Sequence, residues 1–96
     1  MLDAQIHSIV KQILFKYLDP KKYSIFIFGS RAMGKNEKYS DIDIGIEGRE
    51  SLPLRILAQI QDAFEESDLP FRVDVVDFST VSDKFRHVAK QHTITL

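Results

Sequence analysis

Two aspartates stand two positions apart in Asp41-Ile42-Asp43-Ile44-Gly45-Ile46-Glu47, a run in which isoleucine occupies every second place. An extended strand with that alternation buries its isoleucines and sends both carboxylates to the opposite face. Their backbone positions are then roughly 6–7 Å apart. At an effective dielectric of ~20, two such charges ~4 Å from each other repel by about 4 kcal/mol. That is enough to raise one pKa sharply unless a cation sits between the groups. Oxygen-rich sites of this kind select Mg²⁺ or Mn²⁺, and a chain with no cysteine and three scattered histidines offers little to a softer metal. A third acid stands in Phe71-Arg72-Val73-Asp74-Val75-Val76-Asp77. If Val73 and Val75 are buried, Asp74 emerges on the open side and Asp77 points away. Three carboxylates on adjacent strands can hold two metal ions, the arrangement that stabilises attacking and leaving oxygens in phosphoryl or nucleotidyl transfer.

A second set of residues complements the first. Gly29-Ser30 follows the apolar run Tyr23 to Phe28 and precedes one short helical turn expected at Arg31 to Met33. Backbone N–H groups and the Ser30 hydroxyl can converge there on a phosphate, which glycine lets approach without a Cβ in the way. Arg31, Lys35 and Lys38 could neutralise part of its charge. Taken singly, each part has a plain alternative: Gly-Ser ends many strands, and an outward aspartate is ordinarily just solvated. The set is less easily explained away, because one half suits phosphate oxygens and the other the metals that bridge them. Two near-matches fail. Gly29 to Asn36 almost spells a P-loop, but Asn36 replaces the metal-binding Ser or Thr and a strand, not a long helix, follows. Asp41 to Gly45 echoes a calcium loop, but its glycine comes one place early and Leu52 occupies the twelfth position.

The elements that must carry these groups are legible from periodicity. Ile6, Ile9, Val10, Ile13, Leu14, Tyr17 and Leu18 predict an amphipathic helix over about residues 3 to 18, ended by Asp19-Pro20. Strands are predicted at Tyr23 to Phe28, Asp41 to Glu47 and Phe71 to Asp77. Between the last two, Ser51 and Pro53 open a helix with Leu54, Leu57, Ile60, Ala63 and Phe64 as its buried stripe up to about Ser67. Ser82 caps a final helix with Phe85, Val88 and Ala89 on one face, and Thr93 to Leu96 is β-prone. This order implies an α/β (α+β) fold, a small mixed sheet with helices packed on one face and the other left for chemistry.

At 96 residues, the chain is one domain's worth, 1–96. A domain this small has a thin margin of stability, so an oligomer or complex is expected. Thirteen basic against fourteen acidic residues, a net charge of −1, give no general attraction to DNA or RNA. No apolar stretch is long enough to span a membrane and no leader is expected; the lack of cysteine fits a reducing compartment, and a cytoplasmic location is expected.

Gly29-Ser30, ten residues, then Asp41-Ile42-Asp43 resembles the signature of the DNA polymerase beta-like nucleotidyltransferase superfamily. The longer string Phe28-Gly29-Ser30-Arg31-Ala32, Gly34 and Ser40-Asp41-Ile42-Asp43-Ile44 most resembles its minimal nucleotidyltransferase (MNT) branch, and Val73 to Asp77 matches the strand of the third acid. Met33 departs from the pattern, in which a basic residue is usual. The resemblance implies that Asp41 and Asp43 hold both metal ions, that Asp74 holds the catalytic one and helps deprotonate the acceptor, and that Gly29-Ser30, with Arg31 beside them, bind the β- and γ-phosphates of ATP or another NTP. It further implies a hetero-oligomer in which the partner grips base and acceptor. MNT proteins often act as antitoxins of a HEPN-domain ribonuclease toxin, in some cases by adenylylating one of its tyrosines.

Other readings remain open: a binding module that neutralises its partner by occlusion without turnover, and a small-molecule nucleotidyltransferase needing a separate substrate-binding subunit. His7, His87 and His92 lack ligand spacing. Arg72 shares the Asp74 face and is expected to pair with it in preference to touching a phosphate, and Tyr39 could stack on a base or pack in its loop.

Overall fold

The computed structural model describes residues 4–29, 32 and 41–96. The apolar stripe of the first segment forms α1 (Ala4–Tyr17), which buries Val10 and Leu14 completely. Leu18 follows it into the core, and Asp19 turns the chain by accepting the Lys21 N–H on its side chain. Next come β1 (Ser24–Phe28), β2 (Ile42–Glu47), α2 (Leu54–Glu65), β3 (Val73–Asp77), α3 (Asp83–Ala89) and the short β4 (Ile94–Thr95). The sheet order is β3-β2-β1-β4. β1 pairs antiparallel with β2 and β4, whereas β2 and β3, joined through α2, run parallel.

Ile25, Ile27, Ile42, Ile44, Ile46 and Val73 face α1 and α2 and form the main core with Val10, Leu14, Ile60 and Phe64. Burying each such side chain contributes about 1.5–3 kcal/mol, so this layer supplies most of the drive to fold. Pro53 opens α2 with no side-chain cap, its carbonyl accepting from the Ile56 and Leu57 N–H groups.

Two expectations need correcting. Leu54 does not join the buried stripe of α2 but is 82% exposed. It is the first residue of the helix, and Leu52, just ahead of it, is buried in the core instead. The face opposite α1 and α2 is also not bare. Phe26, Phe28 and Phe78 form a second cluster there, with Val76, Val81 and Ala89 against it. Phe78 meets Phe26 and Phe28 edge-on, at centroid distances of 4.9 and 5.1 Å. Gly45 makes this possible, because a Cβ at that position would overlap Phe26 and come within 2.8 Å of Phe78. Ser82 caps α3 as expected, accepting the Phe85 N–H at 3.1 Å. α3 is tied over the aromatic face by charge: Arg86 Nε lies 3.0 Å from Glu47 Oε2, Lys90 pairs with Glu47 Oε1, and Arg86 Nη2 donates to the Phe78 carbonyl at 2.7 Å.

Candidate active site

Among the described residues, what remains uncovered on that face is its far end, where β1 stops. Register sets three residues abreast: Phe28 opposite Asp43, and Asp43 opposite Asp74. Adjacent strands are about 4.8 Å apart, so the two acids are immediate cross-strand neighbours. Gly29 closes the row. Its φ of +77° lies in the left-handed region, and a Cβ there would overlap the Asp43 carboxylate. Glycine is thus required twice over, by conformation and by contact.

The electrostatics match the crowding. Asp43 is half-buried, and its carboxyl is held above its ordinary pKa of 3.8, chiefly by burial and further by the charges of Asp74 and then Asp41. Asp41 is exposed just ahead of β2. Arg72 Nε pairs with Asp74 Oδ1 at 3.1 Å, the pairing expected of it, and leaves the other oxygen outside the ion pair. Asp77 does point away: its carboxylate accepts the Leu52 N–H at 2.8 Å, the Ser79 N–H at 2.9 Å and the Ser79 hydroxyl at 2.7 Å.

Asp43 and Asp74 are therefore brought together with Gly29, and Asp41 acts on Asp43 through its charge. Among the described residues, no three acidic, imidazole or thiol groups close on one point to form a ready metal cluster. The donors nonetheless fit a divalent ion. They are hard carboxylate oxygens, and the charges of Asp74 and Asp41, which add to burial in raising the Asp43 pKa, form a negative field that a cation would relieve. Ser30 and Arg31 lie outside the described residues, as do the helical turn expected at Arg31 to Met33, Lys35, Lys38 and Tyr39.

Sequence reading missed one feature beside this row. Phe28, Gly29, Phe85, Val88 and His92 line an apolar notch of about 210 Å³. Phe85 and Val88 are 43% and 60% exposed there, and Phe85 meets Phe28 edge-on at 6.1 Å. Its polarity suits a flat ring. The available signal was the i, i+3 apolar pair on α3, which we read as a packing face. A larger hollow of about 520 Å³ lies at the other end of β1, near Lys22 and Arg49, and contains none of the three acids.

A small mixed sheet with two abutting aspartates beside a glycine turn defines a nucleotidyltransferase palm, and the chain belongs to the polymerase beta nucleotidyltransferase family, which it matches over residues 9–96. Among individual proteins, it is 44% identical over 84 residues to the probable protein adenylyltransferase MntA of Haemophilus influenzae, covering 88% of this chain and 72% of that one. The fold matches that of a toxin–antitoxin crystal structure with AMP-PNP, with a TM-score of 0.74 and 23% identity over 92% of this chain and 69% of the other. It also matches a toxin–antitoxin MntA–HpeT structure carrying a tyrosine-to-alanine mutation, with a TM-score of 0.74 and 24% identity over 100% of this chain and 72% of the other.

Proposed function

We propose that this chain transfers a nucleoside monophosphate, AMP from ATP, to a hydroxyl of a partner protein. The observation that carries the reading is the Asp43–Asp74 pair set abreast beside Gly29. The 44% identity to a probable protein adenylyltransferase supports the reaction, and the AMP-PNP in a structural neighbour supports the nucleotide.

Gly29, with Ser30 and Arg31, would seat the β- and γ-phosphates. Asp41, Asp43 and Asp74 would hold two Mg²⁺ ions, or Mn²⁺. Bound divalent ions supply charge neutralisation of the triphosphate and of the pentacovalent transition state. The acceptor oxygen forms a bond to the α-phosphorus while the bond from that phosphorus to its bridging oxygen breaks in line, and pyrophosphate leaves with the electron pair. The hydroxyl proton passes to Asp74, whose Oδ1 Arg72 holds in place. Holding the reactants together supplies much of the acceleration, so the partner must present its hydroxyl from a fixed position.

The acceptor we propose is a HEPN-domain ribonuclease toxin, with this chain as its antitoxin in a cytoplasmic hetero-oligomer. The toxin–antitoxin neighbours support that context. Among the described residues no helix is long and apolar enough to cross a membrane. The test is incubation of the chain with α-labelled ATP, Mg²⁺ and the protein encoded beside it. Label on that protein is expected with wild type and is lost by at least ~10³-fold with Asp43→Ala. That no closed three-acid cluster forms among the described residues favours one second reading, neutralisation by occlusion. That reading takes over if an Asp41→Ala/Asp43→Ala double variant still protects cells from the partner.

A further inference from the structure

β3 lies at the edge of the sheet, with one neighbour among the described strands. The Ile42 N–H donates to the Arg72 carbonyl at 3.0 Å and the Phe78 N–H to the Ile46 carbonyl at 2.8 Å. Even-numbered residues of this stretch therefore turn their backbone groups toward β2, and residues 73, 75 and 77 turn theirs outward.

Both ends of that outer edge are already closed. Gln61 Nε2 donates to the Val73 carbonyl at 2.7 Å. Thr80 donates to the Asp77 carbonyl through its N–H at 3.3 Å and its hydroxyl at 3.0 Å. Closing edge groups is a common defence against unwanted strand pairing. Between the two capped carbonyls, the outward N–H and C=O of Val75 and the outward N–H of Asp77 have no partner among the described residues, next to Asp74. A groove of about 460 Å³, lined in part by Glu65, Leu69, Phe71 and Arg72, opens beside the start of β3, at Val73, and reaches Asp74.

We infer that an extended segment of the acceptor protein joins the sheet here as a short outer strand, exchanging backbone hydrogen bonds with Val75 and so delivering its hydroxyl to Asp74. A strand alternates its side chains. One residue of the incoming segment stands beside Asp74 at the ~5 Å spacing of cross-strand pairs, and its neighbours turn toward the Leu69–Phe71 groove. Main-chain pairing gives position without demanding a particular sequence, and the caps restrict it to about one residue, which suits a substrate that must leave. The inference rests on the protein-acceptor reading above.

Val75→Pro tests it. The substitution removes the outward N–H and takes no hydrogen bond from the β2–β3 ladder, the one setting in which a strand tolerates proline. Labelling of the acceptor is expected to fall at least tenfold in kcat/KM, mostly through KM, with the Tm increase caused by Mg²⁺-ATP unchanged. Wild-type kcat/KM in this variant overturns the inference. Should Val75→Pro fail to fold, amide deuterium exchange on the wild-type chain decides: the acceptor slows exchange at Val75, and an unchanged rate overturns the proposal. An acceptor that wild type never labels overturns the transfer reading and this inference together, whereas a labelled acceptor indifferent to Val75 removes only the edge.

Discussion

Along β2, Ile42, Ile44 and Ile46 are fully enclosed beneath α1 and α2, while Asp43, Gly45 and Glu47, interleaved with them, face aromatic rings and charges. β3 repeats the division in a single residue type. Asp77, on the helix side, has three hydrogen-bond donors, whereas Asp74, on the other side, has Arg72 on one oxygen and Asp43 alongside. One face is satisfied and the other is left in electrostatic debt, so stability and chemistry are segregated across a layer one strand thick.

Substitutions can break that contrast in order of expected size. Ile44→Ala should cost about 2–5 kcal/mol in chemical denaturation, since a fully buried side chain leaves a cavity behind. Asp77→Ala should cost about 1–3 kcal/mol by stranding the Leu52 and Ser79 N–H groups, with specific activity retained in the protein that still folds. Arg72→Ala should change stability by under about 1 kcal/mol, because its ion pair with Asp74 is exposed, the arginine side chain being 74% accessible. A cost as large as that of Asp77→Ala would blur the distinction between the faces.

The subtlest expectation concerns pH. The folded state raises the Asp43 pKa above 3.8, so the metal-free protein binds more protons there than the unfolded chain does and loses stability as pH rises from that value through the raised one. Asp43→Asn escapes this loss. In the presence of a chelator, its stability should match wild type near pH 3.5 and exceed it at pH 7, as measured by denaturation at both. An advantage that grows toward acid would refute the origin of the shift in burial and like charge.

Much of this arrangement was readable from the chain. Strict alternation at Asp41 to Glu47 and the valines around Asp74 assigned each acid to its face, because a period of two leaves no other way to bury the isoleucines. Helices and strands came within a few residues of their bounds for the same reason. The aromatic cover was harder to see. Phe78 belongs to no periodic run, and the Glu47–Arg86–Lys90 tie joins residues about forty positions apart, a distance at which local pattern carries no information. Leu54 misled because hydrophobic spacing does not show which apolar residue at a helix start, Leu52 or Leu54, the core takes in.

Alternation has a further blind spot. Sliding β3 against β2 by two places would keep every side chain on its proper face while carrying Asp74 roughly 6.6 Å out of line with Asp43. Hydrophobic burial would hardly object. The bond from the Leu52 N–H to Asp77, spanning 25 residues, buckles the start of the crossover to the end of β3. It acts as a length gauge for the whole connection, supplying the one measurement that greasy surfaces cannot make.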